Sequence, residues 1–427
     1  MLQIPLKFQK KFLKILKSLR GGTVPNQGIL RLAVGRNNEL NAILKDCEDI
    51  SEGLNSFRIF IGDYGTGKTF LLSLAREYAQ KKNICTCHAD LDPQKRLHSN
   101  KGDALSLYRQ LISNLSTRLK PNGGALKSVI EKYLKSQRIN DLRDKLNELD
   151  QTSLSFDFFK VLEIYKQGIT ENDSYRKQAC LRWLSGEYAS RIDSARELGV
   201  RTIIADHNYY DALKVLTNVF VLAGYSGLLI HIDEMVNMLK ISHSPSRKNN
   251  MEQILRIYND VMQSNQKNLG VYLSGTPDFL TNPRIGLYSY DALKGRLQEN
   301  SYLTKNAFDP DHPVIRVEPF DNNELYLLVE RVGEIYESDE NIKNIVSQDM
   351  ITSFLDSCKQ QLGSDLYTSP RNVIKEFLDL RSVLDIDPSA NWEELLSSKL
   401  KIKPDLDENE FSDDEDDNEL KRFTLGN

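Results

Sequence analysis

Residues 60–75, FIGDYGTGKTFLLSLA, commit the chain to one local geometry: strand, glycine-rich loop, helix. Gly62, Asp63, Tyr64, Gly65, Thr66, Gly67, Lys68 and Thr69 complete the pattern G-x-x-x-x-G-K-[ST]. Glycines let the backbone curl so that its N–H groups point inward at phosphate oxygens. The helix that starts near Thr69 aims its positive end at the same place. Lys68 brings a point charge to the β- and γ-phosphates, and the Thr69 hydroxyl is a ligand for Mg²⁺. The expected ligand is therefore a nucleoside triphosphate with Mg²⁺.

Hydrolysis needs an acidic group beyond a second apolar strand. GLLIHIDEMVNML supplies one: Asp233 is expected to hold the metal and Glu234 to act as general base on the attacking water. His231 within that run reads as a strand residue, not a metal ligand. In NLGVYLSGTPDFL, Ser274 and Thr276 stand at a strand exit, where ligands bind in open α/β sheets. Either can sense the γ-phosphate. YDALKGRL puts Arg296 at the end of a short helix, placed to complete a neighbouring subunit's site; a surface ion pair is the alternative role. YTSPRNVIKEFLDL sets Arg371 in the first turn of a helix that can close over the phosphates. Cys85-Thr86-Cys87-His88 is a poor zinc motif, because strand alternation sends His88 to the face opposite the two cysteines. Asp206-His207 lacks a serine or cysteine nucleophile in an elbow.

Short apolar runs predict strands at 57–61, 84–89, 228–232, 271–274 and 314–317, with a helical insertion over about 93–216. Further helices are predicted at 6–19, 37 onward, 69–80, 324–336, 348–361 and 370–384. The order implies an α/β fold, a parallel sheet with helices on both faces. Four parts are expected: a basic helix and linker (1–50), the nucleotide-binding domain (51–310), a small helical lid (311–403) and an acidic tail (404–427). The basic face of the first helix suits DNA or a membrane surface, but its apolar face (Phe8, Phe12, Ile15, Leu16, Leu19) suits packing on its own protein. HSPSRK, residues 243–248, reads as a basic surface loop.

No run of about 18 apolar residues exists to cross a membrane. The lysine-broken N-terminus lacks the core of a signal peptide. Five scattered cysteines suit a reducing, cytoplasmic setting. Residues 405–419 hold ten acidic and no basic side chains, so a chain of net charge −4 has a positively charged remainder. The tail is either a solubilising segment or a competitor for nucleic acid.

The order VGRNNEL, GDYGTGKT, LLIHIDE, SGTP, LKGRL, SPRNVIKEF resembles AAA+ and origin-recognition-like ATPases. The finer pattern adds a threonine-valine-proline segment, Phe70 directly after the phosphate loop, and the long insertion. It resembles the BREX-system ATP-binding proteins of the BrxD type, and the ATPase of the Shango anti-phage system. The resemblance covers roughly residues 20–400. It implies a P-loop NTPase fold, ATP as ligand, and Val34, Gly35 and Arg36 against the adenine. It also implies a winged-helix-like C-terminal segment, and anti-phage defence with a helicase and a TerB-like protein as partners. DNA and a second copy of the chain are candidate partners, and DNA contact by the C-terminal segment stays open. Three activities stay open: a DNA- or helicase-coupled ATPase, a slow ATP switch that recruits an effector, and a replication-initiator or transposition-type DNA loader.

Overall fold

The computed structural model describes residues 6–25, 28–135, 144, 153–263, 266–300, 302, 308–337, 346–362 and 369–400. Five strands, β1 (Ser56–Ile61), β2 (Cys85–Asp90), β3 (Leu228–Asp233), β4 (Leu269–Gly275) and β5 (Val314–Arg316), form one sheet in the order β2-β3-β4-β1-β5. Every pairing is parallel. A parallel sheet covered on both faces needs strands that are mostly apolar. Accordingly β1, β3 and β4 are buried along their whole length. Each predicted strand forms, with ends that differ by a residue or two.

Two cores lie on the two faces. Phe57, Ile59 and Ile61 of β1 point to one face; Phe60 points to the other. The second face is closed by α2 (Asn37–Ser51) and α3 (Lys68–Lys81) through Ile43, Cys47, Leu71 and Ala75. The first carries α10 (Ser244–Met262) and the insertion between β2 and β3. That insertion comprises α4 (Asp103–Ser113), α5 (Leu126–Lys135), α6 (Ser153–Thr170), α7 (Ser174–Leu184), α8 (Arg191–Leu198) and α9 (Tyr209–Leu222). Asp206 accepts the Gly102 and Leu105 N–H groups at 2.7 and 2.8 Å, so it caps α4. Cys85 and Cys87 are buried in the apolar core, while His88 meets Arg76.

A buried ion pair ties the second face together. Arg58 of β1 holds Asp46 of α2 in two bonds of 2.6 and 2.8 Å, and Tyr272 of β4 donates to the same carboxylate at 2.7 Å.

After β4 come α11 (Pro277–Thr281) and α12 (Asp291–Leu297). The C-terminal part consists of α13 (Asn322–Glu337), α14 (Gln348–Leu362), α15 (Pro370–Ile386) and α16 (Trp392–Lys399). It has no strand among its described residues. The N-terminal helix α1 (Leu6–Arg20) joins this bundle: Phe12, Ile15 and Leu19 share a core with Val332, Phe354, Phe377 and Trp392. One sequence expectation is corrected. Residues 244–248 are not a loop but the first turns of α10, capped by His243, whose ring accepts the Ser246 N–H at 3.3 Å. Pro245 near the helix start suits that role, since its missing N–H has no intrahelical partner to lose. The acidic tail lies outside the described residues.

Candidate nucleotide site

The site sits where β1, β3 and β4 end. Register places Ile61 beside Gly275, and the Gly62 N–H donates to the Gly275 carbonyl at 3.2 Å, so the glycine-rich loop and the Ser274–Thr276 exit meet. Gly62 has no room for a side chain: a Cβ would lie 2.4 Å from the Val317 carbonyl oxygen. Gly67 has φ +100° at the cap of α3, a conformation that L side chains rarely adopt.

The Lys68 ammonium donates to the Gly62 and Asp63 carbonyls, both at 2.7 Å, and lies over the Tyr64 ring. The Thr66 hydroxyl donates to Asp63 O at 2.9 Å and closes the loop. The Asp233 carboxylate is held from three sides. Thr69 Oγ1 donates to one oxygen at 2.7 Å; Ser274 Oγ and, at 2.8 Å, the Glu234 N–H donate to the other. A carboxylate and a hydroxyl at 2.7 Å form an oxygen donor set suited to a hard cation. Among the described residues no group of three or more His, Cys, Asp or Glu side chains could hold a metal. Mg²⁺ binds through one or two carboxylates plus substrate phosphates. Thr69 and Asp233 are thus the residues that fit it.

Glu234 follows in the left-handed region, φ +56°, at the cap of a 3₁₀ turn, Met235–Met238. Burial raises its carboxyl above the ordinary glutamate value, and the Asp233 charge adds to this; Lys68 opposes it, Asp90 raises it further, and Lys240 lowers it. Ser274 and Thr276 part company. Ser274 is fully buried and spends its hydroxyl on Asp233. Thr276 Oγ1 is buried on the cavity wall and has no hydrogen-bond partner among the described residues.

The cavity lies between the glycine-rich loop, the segment after α1 and the start of α15. Its apolar wall comes from Val24, Pro25, Leu32, Phe320, Leu328 and Ile374, with Phe70 alongside. Sequence reading placed Val34, Gly35 and Arg36 there. Arg36 does line it, but Val34 and Gly35 do not; Gly35 packs against Glu324 instead. Arg36 braces the loop: its guanidinium donates to Thr66 O at 3.0 Å and Glu318 O at 2.5 Å and lies over Phe320. The apolar wall was missed because its residues are ordinary core types from three distant segments; only the threonine-valine-proline segment hinted at it. Arg371 lines the cavity and lies against Gly22. Arg296 is exposed, bonded to Asn259 and the Ala292 carbonyl, and is not on its own chain's cavity wall.

Comparison with known proteins agrees with the order of motifs. The family model of the BREX system ATP-binding protein BrxC/D matches residues 8–400, and the chain belongs to that family. No curated protein matches the chain.

Proposed function

We propose that this ATP-binding member of the BrxC/D family hydrolyses ATP in the cytoplasm during anti-phage defence, and couples the cycle to DNA or to a partner such as a helicase. The narrower likeness to the Shango ATPase, with a TerB-like partner, belongs to the same proposal. The observation that carries it is the convergence of Thr69, Asp233 and Ser274 through one carboxylate, with Glu234 next in the chain.

In this reading the Lys68 ammonium exchanges two carbonyl partners for phosphate oxygens. Thr69 and Asp233 would hold Mg²⁺, which when bound would supply charge neutralisation to the phosphates. Glu234 takes a proton from the attacking water as the bond between the bridging oxygen and the γ-phosphorus breaks, giving ADP and phosphate. Its raised proton affinity strengthens it as a base. Thr276 offers its hydroxyl to the γ-phosphate. Arg371 closes the cavity from the lid, residues 311–403, onto the ATPase domain, residues 51–310. Arg296, turned away from its own cavity, serves a neighbouring subunit in a homo-oligomer.

The test is steady-state ATP hydrolysis alone and with single- and double-stranded DNA, beside Glu234→Gln. DNA-stimulated turnover abolished by the substitution is expected. Wild-type turnover in Glu234→Gln removes the base assignment. Tight ATP binding with negligible turnover in every condition replaces the coupled ATPase with a switch.

A further inference from the structure

A second polar cleft lies beside the nucleotide cavity. After β2 the chain runs through residues 91–102 before α4, and beyond Glu234 it runs through residues 239–243 before α10. The two stretches face each other across a cleft of about 580 Å³, which shares no lining residue with the nucleotide cavity.

The cleft is built rather than incidental. Asn250 of α10 is fully buried; its Oδ1 accepts the His98 N–H at 2.9 Å, and its amide donates to the His98 and Ser246 carbonyls at 3.0 and 2.8 Å. Arg247 donates to the Ile241 carbonyl at 2.6 Å and fixes the other wall. Three cations, Arg96, Lys101 and Lys240, line the space against one acid, Asp103. That acid accepts from Ser99 Oγ at 2.9 Å and forms an ion pair with Arg96 Nε at 3.8 Å, which leaves Lys101 and Lys240 as the excess charge. Arg96 Nε is buried and has no hydrogen-bond partner among the described residues. The rest of the lining is polar, with Ile241 its one aliphatic residue and no Phe, Tyr or Trp.

Excess positive charge and no stacking surface suit oxyanions, not bases. A peptide would find almost no apolar surface for its side chains. The space exceeds what one phosphate fills, and its cations come from both walls. We propose that this cleft binds the phosphodiester backbone of a nucleic-acid strand, without reading its sequence. The inference rests on the proposed engagement of DNA and gives it an address. The Lys240 wall follows Glu234 across a single 3₁₀ turn, so a bound strand lies one turn from the proposed base.

The test reads binding without turnover. A labelled single-stranded oligonucleotide of random sequence is titrated with wild type and with Lys101→Gln/Lys240→Gln, over a range of NaCl, by fluorescence anisotropy. Two lost phosphate contacts are expected to weaken binding and to make the log–log salt slope shallower by about 1.4. A fluorescent ATP analogue should still bind the variant, which separates this result from a damaged nucleotide site. If analogue binding is lost, Lys101→Gln alone decides, with an expected slope change of about 0.7. An unchanged affinity and slope overturn the proposal. So does a wild-type protein that ignores the oligonucleotide. Equal competition by inorganic phosphate, at matched phosphate concentration, makes this a free-anion site, and equal competition by polyglutamate makes it an acidic-protein site; either overturns the strand.

Discussion

Thr276→Val separates two hydroxyls that look alike in the sequence. Thr276 Oγ1 is buried and has no hydrogen-bond partner among the described residues. A buried polar group left unsatisfied costs about 1–3 kcal/mol, so the near-isosteric valine should leave ATP-free stability unchanged or raise it by up to that amount. A hydrogen bond to a charged partner contributes about 1.5–3 kcal/mol, roughly ten- to hundred-fold in an equilibrium constant. If that partner is the γ-phosphate, Thr276→Val should lose that factor in preference for ATP over ADP, and a comparable factor in turnover. Ser274→Ala should behave otherwise. Its hydroxyl already holds Asp233, so its removal should destabilise the ATP-free protein and weaken the Mg²⁺ dependence of ATP binding. The assays are urea unfolding without nucleotide and titration of each variant with labelled ATP and ADP. A Thr276→Val protein that is less stable without nucleotide, or that keeps the wild-type ATP/ADP ratio, refutes the reasoning.

Four further outcomes are expected. Asp46→Ala strands the Arg58 guanidinium in the core and leaves Tyr272 without its acceptor; a loss of about 3–5 kcal/mol should appear in denaturant unfolding, and a loss under 1 kcal/mol would mean that water reaches the pair. Glu234 must be ionised to act, and its carboxyl lies above the ordinary 4.5, so turnover should fall on acidification with a midpoint above that value. The ionised, buried form also costs stability that the protonated form does not, so Glu234→Gln should stabilise the protein at neutral pH, with the gain disappearing as pH falls through the wild-type carboxyl; a gain that persists at low pH would exclude this origin. Arg296→Ala and Lys68→Ala subunits should each be inactive alone and regain part of their turnover when mixed, measured as ATP hydrolysis against mixing ratio; absence of rescue removes the role across a subunit boundary.

Much of the fold was legible because its signals are local. A strand buried on both faces is mostly apolar, and β1, β3 and β4 read that way apart from Ser56, Arg58, His231, Asp233 and Ser274. Residues 243–248 show where local reading fails: a cluster of Ser, Pro and His marks both loops and helix starts, and the choice was made by Asn250, which anchors α10 from below. The first helix shows the opposite case. Its apolar stripe announced burial but not the partner, which lies more than 300 residues away in α13–α16.

The sequence by itself determined the phosphate end of the site. Phosphate binding uses backbone N–H groups, one lysine and one hydroxyl within eight consecutive residues, and glycine is required there by backbone sterics. Only the tertiary structure decided the rest. The parallel register brought Asp233 and Ser274 to Thr69, so that the serine is spent on the carboxylate and the threonine beside it is not. Packing of α1 against the C-terminal helices set the apolar wall from Val24, Pro25, Leu32, Phe320, Leu328 and Ile374, while Val34 and Gly35 do not line it. The physical reason is range. Backbone conformation and phosphate chemistry are fixed by neighbours in the chain, whereas a cavity wall is fixed by which apolar surfaces meet, and that is a property of the folded molecule alone.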